Sequence, residues 1–358
     1  MPRPALPDGR LLGAHLPLGS GMVRAVERAH AIGAEALQVF IDNPTAWKRR
    51  AEPPAELDAF RERLATLGIG PVAVHASYLV NLAGPAEDLF ERSVALLAHE
   101  LAIAPDYGAR FVNVHIGSHK GSGVGAGVAR VADGVARVLA QADGATELSS
   151  GALTGSKGAP TVPPESTDAP FESPGAATAP PESANAPLLV LENSAGSGDG
   201  IGASLEELEA ILEAVAARGV PPGRVGLCLD SAHLWGAGYD MASRGGVDAL
   251  VDELAARIGL QRVAMVHLND SKATRGSRLD RHEHLGAGEM GAGAGLARLL
   301  THPALAHVAY FLETPGMDQG YDAVNVARAR ALAAGLPLDP LPPEAFHVRG
   351  ARSRTPAA

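Results

Sequence analysis

The chain has 358 residues, of which 46% are hydrophobic, and this is enough for one large domain or two average ones. Its single cysteine, Cys228, excludes an internal disulfide framework and fits a reducing compartment. No stretch approaches the roughly 18 apolar residues of a membrane span, and the first residues lack the apolar core of a signal peptide, so we expect a cytoplasmic protein without a membrane partner. The formal net charge of −10 argues only weakly against a nucleic-acid partner, because that count omits bound metal ions.

Eight short apolar runs, without clean alternation of polar and apolar residues, predict parallel strands that are buried on both faces. They are residues 11–17, 36–42, 71–77, 111–117, 187–194, 225–231, 263–269 and 308–314. Segments of helical period lie between most of them, at 21–32, 56–67, 88–103, 128–141, 204–217 and 247–258. This alternation predicts an α/β fold, a (β/α)8 TIM barrel, with a doubly wound sheet as the structural alternative.

Two segments depart from the alternation. Residues 143–187 are rich in Ala, Pro, Ser, Thr, Gly and Glu, and they cannot bury enough apolar surface to offset the entropy lost on ordering. We predict a disordered insertion there, before the fifth strand. Residues 336–358 are Pro-rich and predict a flexible C-terminal tail. The barrel is therefore expected to be a single domain, residues 1–335, interrupted by the insertion.

Histidines and carboxylates stand where the predicted strands end. They are His75, His115, Glu192, Asp230, His267 and Glu313, with His233 just after the sixth strand and Asp280 and His282 in the loop after the seventh. In a TIM barrel the C-terminal ends of the strands converge on the active site. The sequence therefore predicts that five histidines and four carboxylates surround one bowl.

Neutral imidazoles and carboxylates form a ligand set that suits zinc or manganese. Nine such ligands exceed the needs of one ion, but with one bridging carboxylate they could serve two or three. Any one of them alone fits a structural role better, whereas six at successive strand ends are hard to attribute to chance. We interpret His15, at the end of the first strand, as a structural residue that supports the site. The histidines outside the strand ends are interpreted as structural: His30, His99, His302 and His307.

Three stretches resemble the signatures of endonuclease IV-type AP endonucleases, which are zinc-dependent enzymes of the xylose isomerase-like TIM barrel superfamily. HASYLVNLA at 75–83 resembles the first signature, and VHLNDSK at 266–272 with GSRLDRH at 276–282 resembles the third. GLCLDSAH at 226–233 resembles the middle one, although the family usually has Thr and Cys where this chain has Ser231 and Ala232. The resemblance covers residues 11–335 apart from the insertion.

The resemblance implies three zinc ions per chain, with manganese an alternative at some sites. The first would be held by His75, His115 and Glu192. The second would share Glu192 as a bridge and add Asp230, His267 and Glu313. The third would be held by His233, Asp280 and His282. Glu192 and Glu313 would then flank the catalytic zinc-bound hydroxide.

The resemblance also implies contacts to a bent duplex. Tyr78 matches one of the side chains that the family inserts into DNA. Thr45 stands where the family often carries an inserted Arg, so Lys48 or Arg49 could substitute or the distortion could be weaker. Asn81 belongs to the first signature. A cationic cluster in the seventh loop could bind backbone phosphate or form a solvated surface: Lys272, Arg275, Arg278 and Arg281.

The implied function is hydrolysis, by a zinc-bound hydroxide, of the phosphodiester 5′ to abasic sites in double-stranded DNA, leaving a 3′-hydroxyl, with trimming of blocked 3′ termini. We expect the enzyme to be a monomer. The nearest alternative is a metal-dependent sugar isomerase or epimerase on the same barrel, which would use Glu192, Asp230, His267 and Glu313 only. A non-enzymatic alternative is a damaged-DNA binding module with structural metals.

Overall fold

The computed structural model describes residues 5–50, 52–153 and 186–348, without the side chains of residues 146–153 and of residue 318. Eight parallel strands close into a barrel in the order β1-β10-β7-β6-β5-β4-β3-β2. The barrel strands are β1 (Leu12–His15), β2 (Ala36–Val39), β3 (Val72–His75), β4 (Ala109–His115), β5 (Leu188–Glu192), β6 (Val225–Asp230), β7 (Val263–His267) and β10 (Ala309–Leu312). The predicted TIM barrel is confirmed.

Helices surround the barrel and connect its strands. They are α1 (Met22–Ile32), α2 (Leu57–Leu67), α3 (Glu87–Ile103), α4 (Val124–Leu153), α5 (Leu205–Ala217), α6 (Ser231–Ala237), α7 (Arg244–Arg257), α8 (Ala294–Thr301) and α9 (Tyr321–Ala333). Two of them, α6 and α7, lie between β6 and β7. A short antiparallel hairpin, β8 (Asp270–Ser271) with β9 (His282–Glu283), holds the loop between β7 and α8.

The described chain differs from the prediction around the insertion. The fourth helix was predicted over 128–141, but α4 continues to Leu153, well inside the segment predicted to be an insertion. Adding a residue to an existing helix costs far less than starting one, so composition alone misplaces such an end. The predicted insertion from residue 154 to 185 lies outside the described residues.

Most of residues 336–348 are exposed, and the segment contacts the rest of the protein at positions such as Leu338 and Ala345. The segment Pro343–His347 forms a 3-10 helix in which Ala345 is buried. Its carbonyl oxygen lies 2.9 Å from Nε2 of the buried His284. Among the described residues, no helix is long and apolar enough to cross a membrane.

The barrel interior changes from apolar to polar along the strands. One layer of buried apolar side chains fills its middle: Ala36, Ala73, Phe111, Val190, Cys228, Met265, Ala309 and Phe311. Residues two apart in a strand face the same side. The next inward positions therefore form a polar layer directly above the apolar one: Gln38, His75, Asn113, Glu192, Asp230, His267 and Glu313. This polar layer is the floor of the site.

Candidate metal centre

The register of the strands brings the polar side chains side by side. His75 is paired with Asn113 across β3 and β4, and His115 is paired with Glu192 across β4 and β5. Asp230 is paired with His267 across β6 and β7. Except for His115, these side chains are buried, because the barrel wall surrounds them on every side. The predicted convergence of strand ends on one bowl is seen in the structure.

The first group of facing ligand atoms consists of His75, His115 and Glu192. Oε2 of Glu192 lies 3.8 Å from Nε2 of His75 and 3.5 Å from Nε2 of His115. Nδ1 of His75 is 2.8 Å from the carbonyl oxygen of Ala76, so Nε2 is the atom that faces the bowl. These three ligand atoms lie within 4.8 Å of one another, which is a separation that a single ion can span.

The second group consists of Glu192, Asp230, His267 and Glu313. Nδ1 of His267 lies 3.3 Å from Oε1 of Glu192 and 3.2 Å from Oε2 of Glu313. Oδ2 of Asp230 is 3.9 Å from the same nitrogen. Glu192 therefore belongs to both groups, with Oε2 directed to the first and Oε1 to the second, as a bridging carboxylate would be.

The third group lies under the hairpin loop. Asp230, His233 and His282 are grouped by their ligand atoms, and Oδ2 of Asp230 lies 3.5 Å from Nε2 of His282. Asp280 contacts both histidines, at 3.3 Å from Nε2 of His233 and 3.2 Å from Nε2 of His282. Asp230 thus stands between the second and third groups.

Three buried atoms in these groups lack a hydrogen-bond partner. They are Oε1 of Glu192, Nδ1 of His267 and Nε2 of His282. A buried polar atom without a partner is costly, because nothing replaces the water that it loses on folding. Each of the three faces other ligand atoms in the bowl. The donor set therefore fits bound cations at this position.

Amide side chains that were not predicted from the sequence hold the ligands in place. Asn113 donates to Oε2 of Glu192 at 2.6 Å, and Asn269 donates to Oδ2 of Asp230 at 2.7 Å. Gln38 donates to Oε1 of Glu313 at 2.6 Å. A polar residue inside an apolar strand, as at positions 38 and 113, was the available signal for these partners. His15 lies 2.8 Å from Oε1 of Glu313, in the supporting position that was predicted for it.

The carboxylates and imidazoles shift one another's pKa values. Burial raises the pKa of Glu192, but the imidazoles of His115 and His267 lower it by more, so it lies well below its ordinary value. Burial lowers the pKa of His75 to about 3 and keeps this ring neutral. Burial also lowers the pKa of His282, but Asp230 and Asp280 raise it by more, to about 10. The bowl therefore concentrates negative charge that attracts cations, whether protons or metal ions.

The sulfur of Cys228 lies within 4.8 Å of ligand atoms of Glu192 and His267. Burial in the apolar layer raises the pKa of its thiol to about 12. The side chain lies in the apolar layer, below the polar floor of the site. It belongs to the barrel core instead.

Tyr78 lies at the rim of the bowl. Its side chain is 54% exposed, and its ring contacts those of Phe40, His75 and His115. Its backbone N–H donates to the carbonyl of Pro44 at 3.0 Å, which joins the loops after β2 and β3. An aromatic ring is thus presented to solvent directly beside the first group of ligands.

The cationic residues predicted to contact DNA differ in their surroundings. Arg49 donates to the carbonyl of Ala95 in α3 at 3.0 Å, which ties it to the barrel, whereas Lys48 is exposed. Lys272 is 3.8 Å from Glu283. Arg278 and Arg281 are exposed on the hairpin loop, and within the described parts of the chain neither forms an ion pair.

The side chain of Asn81 is held by hydrogen bonds to the backbone of two loops. Its side-chain oxygen accepts from the N–H groups of Ala83 and Ser118, and its amide donates to the carbonyl of Ser118. A Cβ at Gly117, whose φ is +110°, would lie 2.2 Å from that side-chain oxygen. The close approach requires glycine at 117, and Asn81 thereby fixes the loop after β4.

The chain matches a known protein family over most of its length. Residues 26–336 match the model of the AP endonuclease 2 family, described as a xylose isomerase-like TIM barrel. The chain therefore belongs to this family, and the curated relatives that it matches include probable endonucleases 4. It is 34% identical, over 90% of its length and 99% of the relative's, to a probable endonuclease 4 of Methanoculleus marisnigri.

A solved structure agrees with that assignment. Endonuclease IV from Thermus thermophilus superposes with a TM-score of 0.67 and is 34% identical, covering 91% of this chain and 99% of its own. An L-ribulose 3-epimerase also superposes, with a TM-score of 0.55 over 91% of this chain and 93% of its own, but it is only 16% identical. The second similarity is one of fold alone.

Proposed function

We propose that this chain is a metal-dependent endonuclease that hydrolyses the phosphodiester 5′ to abasic sites in double-stranded DNA. Membership in the AP endonuclease 2 family and similarity to endonuclease 4 support this function. The observation that carries it is the third ligand group: His233, His282 and Asp280 lie beside a bridged group that is already complete. A product with a 3′-hydroxyl, and trimming of blocked 3′ termini, belong to the same proposal.

The ligand assignment that we propose uses three zinc ions. His75, His115 and Glu192 would hold the first, and Asp230, His267 and Glu313 would hold the second together with the bridging Glu192. His233, Asp280 and His282 would hold the third, with Asp230 adjacent. When bound, zinc supplies a coordinated water of lowered pKa and polarises phosphate oxygens.

The chain's own side chains would position the substrate. Half of the Tyr78 side chain is exposed at the rim, where the ring can stack in the gap that a missing base leaves in the duplex. Arg278 and Arg281 would hold backbone phosphates of the strand that enters the bowl. Glu192 is buried in the floor and shielded from bulk water there, which strengthens charge interactions around it.

An epimerase would need only the second group. The superposition on an L-ribulose 3-epimerase is a similarity of fold, and the separate His-Asp-His group has no use in that chemistry as we interpret it. Turnover of a sugar in place of abasic DNA would therefore contradict the proposal. The monomeric state and the cytoplasmic location expected from the sequence stay predictions.

The test is cleavage of a duplex that carries one abasic analogue and a 5′ label, with an undamaged duplex as the control. Zinc-loaded protein should nick only the damaged strand, the nicked strand should be extended by a DNA polymerase, and a chelator should abolish the cutting. Equal cutting of both duplexes, chelator-resistant cutting, or no cutting would overturn the proposal.

A substitution of Glu192 tests whether the activity depends on the ligand groups. Glu192→Gln keeps the shape of the side chain but removes the charge that the first two groups share. Loss of a partner to a metal ligand typically costs about 10–100-fold, so loss of the bridging ligand itself should cost at least about 100-fold in rate. Glu213→Gln, on the outer face of α5, is the matched control and should cut at the wild-type rate.

A further inference from the structure

Two cavities adjoin each other on the site face of the barrel. The metal cleft, of about 310 Å³, is lined by ligand residues such as His115, Glu192 and Asp280, and also by Lys120. A groove of about 710 Å³ lies beside it and is lined by Arg275 and Arg278 and by the carboxylates of Glu207, Asp240 and Glu253. Ala195 and Gly200 line both cavities. A chain that leaves the metal cleft over these two residues enters the groove.

Three loops build this passage, and they are tied to one another. The loop after β5 lies in the middle. On one side, the N–H of His119, in the loop after β4, donates to the carbonyl of Asp199 at 3.0 Å, and Ser118 forms a backbone bridge with Gly200. On the other side, the hydroxyl of Ser197 donates to the carbonyl of Arg278 in the hairpin loop. The three loops therefore present their side chains in a fixed relation.

The middle loop has glycine at every second position, 196, 198, 200 and 202. Gly196 and Gly198 have positive φ values of 77° and 56°. Nothing lies within 4 Å of a Cβ built on Gly198, so its glycine is not explained by crowding. Glycine at these positions keeps the floor of the passage low, with the exposed side chains of Ser197 and Asp199 between them.

Lys120 stands on the β4 side of this passage. It is exposed, it lines the metal cleft, and within the described ranges of the chain it forms no ion pair. Its φ is +47°, a backbone conformation that is unfavourable for a side chain with a Cβ. Arg278, with a φ of +57°, stands on the hairpin side. Among the described residues these are the only two cationic side chains held in that conformation.

We propose that Lys120 binds a backbone phosphate of the DNA strand that passes from the metal cleft across the glycine-rich loop into the groove, opposite Arg278. The inference rests on the proposed function, since it requires DNA as the occupant. A lysine without a carboxylate partner at the metal cleft, with Arg278 at the adjoining groove, favours a polyanion that tracks along the protein. Phosphate contacts of this kind fix the register of the strand rather than read its sequence.

The test is the salt dependence of binding. Zinc-loaded protein is titrated with the nicked product duplex, which cannot be cut again, at several salt concentrations. Replacing one phosphate-binding cation lowers the slope of log affinity against log salt by about 0.9. Lys120→Gln and Lys120→Gly should each show that loss. Lys120→Arg should keep the wild-type slope.

Two variants separate an effect on DNA binding from an effect on folding. Lys120→Gly also relieves the left-handed backbone, so its unfolding midpoint should equal or exceed that of the wild type while its slope falls. Arg110→Gln removes one exposed charge at the opposite end of strand β4 and should keep the wild-type slope. If the wild type neither cuts the abasic duplex nor binds its nicked product, the proposed function is overturned. If the wild type binds it and both Lys120 variants keep the full slope, the inference about Lys120 is overturned.

Discussion

The side-chain oxygen of Gln38 lies 3.0 Å from Nε2 of His267. This contact fixes the proton of the ring on Nε2 and leaves Nδ1, which faces Glu192 and Glu313, as the atom that can bind a metal ion. The amide nitrogen of the same glutamine donates to Oε1 of Glu313. One residue of β2 therefore orients two ligands that lie on β7 and just after β10.

We expect Gln38→Leu to weaken metal binding at the second group by about 10–100-fold, because such partners typically contribute that much to affinity. The ring of His267 would lose its tautomer preference, and Glu313 would lose a donor. Metal content after dialysis against a weak chelator measures the effect. Gln261→Leu, which alters an exposed glutamine near the start of β7, is the control. Wild-type metal retention by Gln38→Leu would contradict this role.

Metal uptake should release protons at neutral pH. Although burial lowers the pKa of His282, Asp230 and Asp280 hold it at about 10. Although burial lowers the pKa of His233, Asp230 and Asp280 hold it well above its ordinary value. These rings are protonated in the metal-free protein at pH 7, so a metal ion must displace their protons. Apparent zinc affinity should therefore rise with pH up to about 10. Calorimetry in buffers of different ionisation enthalpy counts the protons, and a pH-independent affinity would contradict the prediction.

Trp235 fastens the hairpin loop that carries Asp280. Its indole N–H donates to the carbonyl of Ala273 at 2.9 Å, and its own carbonyl accepts from Gly276 at 3.0 Å. Trp235→Phe keeps most of the packing but leaves the Ala273 carbonyl without its donor, which costs about 1–3 kcal/mol. We expect selective loss of metal from the third group, measured as metal bound per chain.

The control for that variant is the other tryptophan. Trp47 stacks against Arg92 with 4.1 Å between the guanidinium carbon and the ring centre, and it lies on the loop after β2, which carries none of the proposed ligands. Trp47→Phe should retain the wild-type metal content. If Trp235→Phe retains as much metal as Trp47→Phe, the hydrogen bond of Trp235 does not position the loop.

Glu100 makes stability depend on pH away from the metal site. Burial raises the pKa of this carboxyl on α3 to about 8, although the N–H of Ser77 favours the charged form. The pKa of Glu100 in the folded protein exceeds its value in the unfolded chain. The contribution of Glu100 to the free energy of unfolding is therefore fully present below pH of about 4.5 and is lost as the pH rises towards 8. Glu100→Gln should remove this dependence.

The difference in unfolding free energy between Glu100→Gln and the wild type should grow by about 1.4 kcal/mol per pH unit between these limits, in favour of the variant. Denaturant unfolding of the metal-loaded proteins at several pH values measures it. A constant difference across this pH range would mean that Glu100 is ionised in the folded state.

Most of the barrel could be predicted from the sequence. Apolar runs such as 225–231 and 263–269 contain the strands, and the histidine or carboxylate that closes each run lies at the site. Strands that are buried on both faces need unbroken apolar sequence, so the first polar residue marks the mouth of the barrel. Family resemblance added the loop that carries Asp280 and His282, which no strand pattern reveals.

The rest depends on contacts between distant parts of the chain. Gln38 and His267 are 229 positions apart, and nothing local indicates that they meet. Asn81 was assigned to the DNA-binding set, but its amide is engaged with Ser118, which lies on a different loop. Lys120 was not singled out, because one lysine in a glycine-rich loop is unremarkable until the loop is placed beside the metal cleft.

The central claim is that the third ligand group makes this barrel a trinuclear zinc enzyme rather than a sugar epimerase. Elemental analysis of protein purified with zinc, and of His282→Asn prepared in parallel, tests it most directly. The account predicts three zinc ions per chain for the wild type and a loss confined to one ion for the variant. A single ion per chain, no zinc, or identical metal content in the two proteins would contradict it.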